Sequence, residues 1–201
     1  MKRVLGAAAV AAVFAGAGAG AARANELFVG ALAHDVGVGI SSHAVERGPD
    51  IDVGFNSSPV NLFSAIGRPM VYFEYVPNTQ GRTSFGAIGF TWRRDLIPGR
   101  LYGQIGIGGA LHDQATMHQD PDEPGISTAE MEHRLFVEEN FKPMGSRFLF
   151  HPSLALGVRV TSHWAVEGVW NHFSNAGLGR TNPGMDDFGG RLVFRFGPGR
   201  R

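Results

Sequence analysis

Apolar and polar residues alternate in short stretches along most of the chain, and the period is two rather than three to four. In residues 101–111, Leu101, Ile105, Ile107 and Leu111 fall on one face, and Tyr102, Gln104, Gly106, Gly108 and the following His112 on the other. In residues 147–160 the even positions Phe148, Phe150, Leu154, Leu156, Val158 and Val160 are apolar, while Arg147, His151, Ser153 and Arg159 are odd. Successive side chains of a strand point to opposite faces, so this pattern predicts half-buried β-strands. The same reading predicts strands over residues 26–36, 50–56, 69–76, 82–93, 163–173 and 187–196, with turn-rich Gly, Pro and Asn segments between them. The first strand alternates poorly, because Phe28 and Leu32 oppose Leu27, Val29, Ala31 and Ala33. Pro152 cannot donate to a ladder, and a β-bulge is expected there. Residues 113–125 read as a long polar loop. Ser127-Thr128-Ala129-Glu130 fits a capping box opening a short helix, although residues 135–141 fit a strand equally well.

Eight such strands, most of roughly 9–11 residues, with one aromatic-rich apolar face and one face carrying Arg, Glu, His, Gln and Gly, predict an all-β fold: an eight-stranded antiparallel transmembrane β-barrel. A soluble periplasmic barrel carrying a lipid inside would show the same period with the faces reversed. The bulky charges suit a small filled lumen, and the alternating last strand ends on Phe196, which favours the membrane form.

Composition adds a compartment. Met1-Lys2-Arg3, an Ala, Gly and Val run, and Ala22-Arg23-Ala24 form a basic start, an apolar core and an A-x-A site. Residues 1–24 therefore read as a secretory signal peptide, with residues 25–201 as the barrel. Losing Lys2, Arg3 and Arg23 takes the 18 basic residues to 15 against 18 acidic, net −3. Without a basic stripe, nucleic-acid binding is disfavoured. There is no cysteine, hence no disulfide, thiolate zinc site or acylated N-terminal Cys.

The chemistry concentrates in residues 170–187. His172 and Ser174 are two apart and share the face of Trp164 and Trp170. Asn175 follows, then Asn182 and Asp186 in the same loop, and Asp187 opens the last strand. Ester hydrolysis by a serine needs a nucleophile, a base, an orienting carboxylate and oxyanion donors. Counting back from Phe196 by twos reaches Asp186, so base, nucleophile and acid are expected on the lipid-facing side near the extracellular rim. Polar groups there are costly unless they are functional. His112, Asp113, His118, Asp120, Asp122 and Glu123 read as a solvated loop rather than a metal site. His34-Asp35 reads as loop-edge polarity, and Glu167, Arg191, Arg195 and Arg159 as a lumen charge network.

His172-Phe173-Ser174-Asn175-Ala176 followed by Asn182-Pro183-Gly184, with weaker echoes in Gly145-Ser146-Arg147-Phe148 and the closing strand, resembles the PagL-like lipid A 3-O-deacylase family. The resemblance implies an outer-membrane enzyme that hydrolyses the ester-linked acyl chain at the 3 position of lipid A and releases a 3-hydroxy fatty acid. It implies Ser174 as nucleophile, His172 as base and Asp186 as acid, where the family usually has a glutamate. Asn175 and Asn182 match the proposed oxyanion hole. It implies lipopolysaccharide of the outer leaflet as partner and no metal or organic cofactor; a homodimer is compatible with it. The competing reading is a non-enzymatic small barrel with structural or adhesive loops.

Overall fold

The structure is a computed structural model that describes residues 24–37 and 40–197. The expected leader lies outside the described residues except for Ala24. Eight strands close in chain order into an antiparallel barrel: β1 Asn25–Ala33, β2 Pro49–Asn56, β3 Met70–Val76, β4 Phe85–Ile97, β5 Leu101–His112, β6 Phe148–Arg159, β7 Trp164–Phe173 and β8 Met185–Phe196. Closure comes from β1 against β8, in register from Asn25↔Phe196 to Ala33↔Phe188. A closed barrel leaves no unpaired sheet edge, which a lipid environment requires.

The parity expected from the sequence sets the two faces. Val29, Ile105, Ile107, Leu154, Leu156, Val158, Trp164, Val166, Phe188 and Leu192 are exposed on the outside. In a bilayer these are the residues that face hydrocarbon. The inside is more apolar than its strands suggest. Phe28 and Leu32, which spoil the alternation of β1, point into the lumen. Leu32 joins Tyr72, Val76, Phe85, Met144, Leu149, Phe173 and Met185 in a plug. Phe28 joins Tyr102, Ala165 and Val193 in a second apolar cluster. A charged belt completes the filling. Arg191 bonds Glu167 at 2.6 Å, Tyr102 donates to Glu167 at 2.6 Å, and Arg93 reaches Glu26 and Gln104. Arg159 instead pairs with Asp95 at 2.8 Å, and Arg195 lies 3.4 Å from Glu26.

The strand ends differ from the sequence reading in physically telling ways. β1 stops at Ala33, three residues early, because Asp35 takes a positive φ of 48°. β4 runs on to Ile97, with a register shift between Asp95 and Ile97. The bulge expected at Pro152 is absent: β5 and β6 pair continuously through Ile107↔Pro152. The disturbance falls on the other side. β6 pairs with β7 from Ser153↔Asn171 to Arg159↔Ala165, and pairing returns only at Phe150↔Ser174. Phe150 and Ser174 exchange both backbone bonds, at 2.7 and 3.1 Å. The next such pair would be Pro152 with His172, and Pro152 has no N–H to give. The ladder therefore opens opposite His172.

The loops divide by end. Residues 34–37 and 40–48, 77–84, 113–147 and 174–184 gather at one end. Both strand termini and the connections 57–69, 98–100 and 160–163 lie at the other. The two longest connections, 113–147 and that between β1 and β2, fall at the end away from the strand termini, as in outer-membrane barrels, whose long loops are extracellular. The segment that reads as either helix or strand is a helix, α1 (Thr128–Asn140). Its capping box is formed: Ser127 Oγ accepts the Glu130 N–H at 3.2 Å.

Candidate active site

His172 and Asp186 are direct cross-strand partners on β7 and β8. Neighbouring residues on one face of an antiparallel pair bring their Cβ atoms within about 4.5–5.5 Å, so even the short Asp side chain spans the gap. His172 Nδ1 donates to Asp186 Oδ1 at 2.7 Å. That fixes the tautomer: with its proton on Nδ1, the ring keeps a lone pair on Nε2. Among the described residues Nε2 has no hydrogen-bond partner. Trp170 lies two residues back on the same face and stacks on the imidazole, with centroids 5.8 Å apart.

Asp187 points the other way, into the lumen. There it accepts the Asp35 N–H at 3.0 Å and lies 3.5 Å from His34. Of the two adjacent carboxylates, Asp186 alone reaches the imidazole.

Ser174 lies two residues past His172, beyond the gap in the ladder, with its main chain pinned to Phe150. Residues two apart on a strand sit about 6.6–7 Å from each other along it. The half-buried Ser174 hydroxyl makes no hydrogen bond among the described residues.

The sequence reading opens this face to lipid. The structure roofs it instead: His172 is 3% exposed and Asp186 fully buried. The cover comes from described residues of the β1–β2 loop, Val36, Ser41 and Ser42. Val36 N donates to the Asp186 carbonyl at 2.8 Å and Ser42 N to Pro183 O at 2.7 Å. Ser41 donates both its N–H, at 3.3 Å, and its hydroxyl to Asp186 Oδ2. Gly184, at a φ of +64°, permits this approach. A Cβ there would meet His172 Cε1 at 3.0 Å and Ser41 at 3.3 Å.

The two asparagines play different parts. Asn175 is a loop clamp. Its amide donates to Met144 O and Thr181 O, its N–H to Asn182 Oδ1, and its Oδ1 accepts from Gly177 N. With every donor engaged, Asn175 offers none to an oxyanion unless one of these bonds breaks. Asn182 is exposed; its Oδ1 holds the Asn175 N–H, and its Nδ2 has no partner among the described residues.

A second polar cluster lies inside the barrel mouth, and the sequence reading misses it. His34 donates to Asp50 at 2.8 Å and to Glu46 at 3.2 Å. Glu46 also takes the Thr83 N–H and hydroxyl and the Lys142 N–H. Lys142 Nζ donates to Asp35 at 2.5 Å and to Gly184 O at 3.1 Å, tying three loops together. Strand parity is the signal that could have found it, since His34 continues the inward series Phe28 and Leu32. Burial by itself would lower the His34 pKa, but the bonds to Asp50 and Glu46 and the charge of Asp187 outweigh it and hold the group up at about 10. Burial pushes Glu46 up, and the bonds from His34, Lys142 and Thr83 bring it below its ordinary value. One oxygen each of Asp50 and Asp187 lies within 4.8 Å of a His34 ring nitrogen, a grouping that could hold a metal ion. Both ring N–H groups already meet carboxylates, so the imidazolium itself supplies the positive charge. His112 bonds Ser146 O and Asp113 bonds Ser84 N, so the 112–123 group is spent on loop structure at those two residues.

The sequence profile described as lipid A 3-O-deacylase (PagL) matches residues 53–195. The chain belongs to the lipid A 3-O-deacylase family. The crystal structure of the outer membrane enzyme PagL superposes with a TM-score of 0.51 at 17% identity, over 85% of this chain and 98% of that one. The N-terminal β-barrel domain of Pseudomonas aeruginosa OprF gives 0.53 at 8% identity, over 88% and 100%. At these identities the likenesses establish the fold: an outer-membrane β-barrel. No curated protein sequence matches the chain. Family and fold together make it a lipid A 3-O-deacylase of the bacterial outer membrane.

Proposed function

We propose that this enzyme is a serine esterase whose reacting groups are Ser174, His172 and Asp186. Ser174 Oγ attacks the carbonyl carbon of the acyl chain on the 3-oxygen of lipid A, and its proton passes to His172 Nε2. Asp186 holds the ring by Nδ1 and stabilises the imidazolium that forms. The developing oxyanion is met by the free Nδ2 of Asn182, while Asn175 fixes the loop that carries Asn182 beside Ser174. The intermediate collapses with cleavage of the bond to the sugar oxygen, which takes the proton from His172. Water then attacks the acyl-Ser174 ester, His172 takes its proton, and a 3-hydroxy fatty acid leaves with Ser174 restored. Proton transfer requires the Ser174 hydroxyl to come within hydrogen-bond reach of Nε2, and such contacts often tighten only when substrate binds.

One observation carries this reading: a buried His172–Asp186 pair on the outward face, with an unengaged serine hydroxyl two residues along the chain, just past the end of β7. Substrate from the outer leaflet approaches at the half-buried Ser174, beyond the part of the pair that the β1–β2 loop covers. Export as a precursor cleaved after Ala24 belongs to the same proposal, and N-terminal sequencing of membrane-derived protein should begin at Asn25.

The test is mass spectrometry of lipid A from a host that makes a 3-O-hydroxyacylated form. Wild-type protein should remove one hydroxyacyl unit. Ser174→Ala should remove none while migrating as a folded, heat-modifiable barrel. Full activity in that variant refutes the reading.

A further inference from the structure

We infer that Ser41 is a positioning residue for the reaction, acting through Asp186 as a fourth member of the catalytic relay. This rests on the serine-esterase reading above. Asp186 is fully buried on the outward face of the barrel, and its two oxygens have different partners. Oδ1 takes the imidazole N–H; Oδ2 takes the N–H and the hydroxyl of Ser41. A buried carboxylate must have its lone pairs satisfied. Among the described residues only Ser41 serves Oδ2. With Oδ2 held, the carboxyl plane is fixed and Oδ1 stays aimed at Nδ1. A carboxylate left to rotate about χ2 would lose that aim, because a terminal sp³–sp² torsion has broad wells.

The described residues on both sides of Ser41 are tied to the barrel. Ser42 and Val36 are bonded to Pro183 and Asp186 on either side of Gly184. Deeper in, Asp35 is held by Lys142, and its second oxygen takes the N–H groups of Val45 and Glu46. The β1–β2 loop therefore completes a site whose other three members come from β7, the residue just past its end and β8, and it brings a hydroxyl that no motif around His172 announces.

Ser41→Ala removes the hydroxyl donor and leaves the loop's main-chain bonds. Losing one hydrogen bond to a charged acceptor should lower kcat by roughly 10- to 100-fold. KM should stay unchanged, because Ser41 touches the carboxylate and not the lipid. Ser41→Thr keeps a donor and should restore kcat to near wild type. Kinetics on purified lipid A in detergent, run beside Ser174→Ala, separate the outcomes. An inactive Ser174→Ala with a fully active Ser41→Ala overturns this inference and leaves the esterase reading standing. A rise in KM with kcat intact, or no rescue by Thr, overturns it also, since the loop would then be only structural. An active Ser174→Ala removes the esterase reading and this inference with it. If the alanine variant does not reach the heat-modifiable form, Ser41→Cys, with a weak donor in the same place, takes its role in the comparison.

Discussion

Replacing Asp186 with Asn tests the relay at its most buried point. The change keeps the shape and removes the charge. Asp186 offers Oδ1 to His172 and Oδ2 to Ser41, and both oxygens accept. Asn has one acceptor oxygen. Whichever way it lies, its NH2 group faces either the Nδ1–H of His172 or the N–H of Ser41. If it faces His172, the ring loses its anchor or flips its proton to Nε2, which blocks it as a base. Breaking a buried charge pair by removing one partner costs about 3–5 kcal/mol. If that whole loss falls on the transition state, where the imidazolium is present, kcat drops by about 10²- to 10⁴-fold. The assay is release of 3-hydroxy fatty acid from purified lipid A in detergent, read by mass spectrometry over a substrate series. Asp187→Asn is the internal control. Its carboxylate faces His34 in the lumen and touches none of the reacting groups, so kcat should match wild type. An Asp186→Asn enzyme with wild-type kcat, or an Asp187→Asn enzyme that fails in its place, would refute the assignment.

Other predictions concern the barrel mouth and the lipid face. Because the folded His34 pKa is about 10 against an ordinary 6.5, protonation of His34 favours the folded state. Its contribution is complete below pH 6.5 and is lost as pH climbs through about 10, so thermal midpoints in detergent should fall across that window and His34→Gln should flatten the fall. Glu46, held below its ordinary value of 4.5, acts in the opposite sense and loses its contribution as pH drops below that value. Lys142→Met leaves Asp35 buried without its cation; the cost should be about 3–5 kcal/mol, seen as faster proteolysis within residues 34–48 of the folded barrel. Trp164, 41% exposed on the outside, should be quenched by lipids brominated on their acyl chains. Absence of quenching, with extraction in plain buffer, would favour a soluble lipid-carrying barrel.

Much of the architecture was legible because a small barrel imposes one simple rule, alternation, on nearly every strand. The outward series in β5 to β8 is unbroken, and counting it from Phe196 back to Asp186 places the acid beside His172. Strand ends were less legible because they depend on the loops. β1 ends where Asp35 turns to hold Val45 and Glu46, and no local pattern announces that. Pro152 was visible as an anomaly. Its consequence, a ladder opened on the β7 side opposite His172, depends on which side of β6 the missing N–H would have faced. The helix α1 has its cap in the sequence but little amphipathic contrast, since it packs few apolar residues; hence the ambiguity over residues 135–141. Ser41 and Lys142 lie in polar loops far along the chain from what they touch, and Ser41 reaches Asp186 only once the barrel has closed β1 against β8. The clamp formed by Asn175 was equally hidden, since its partners Met144 and Thr181 come from two different loops.

The most direct measurement is the site of attack by an alkyl phosphonate that forms a stable ester with an activated serine. After treatment of the folded enzyme in detergent, peptide mass spectrometry should find the adduct on Ser174, in step with loss of activity. It should find none in His172→Ala. An inactivated enzyme with Ser174 unmodified, or an adduct that forms as fast without His172, would contradict the account.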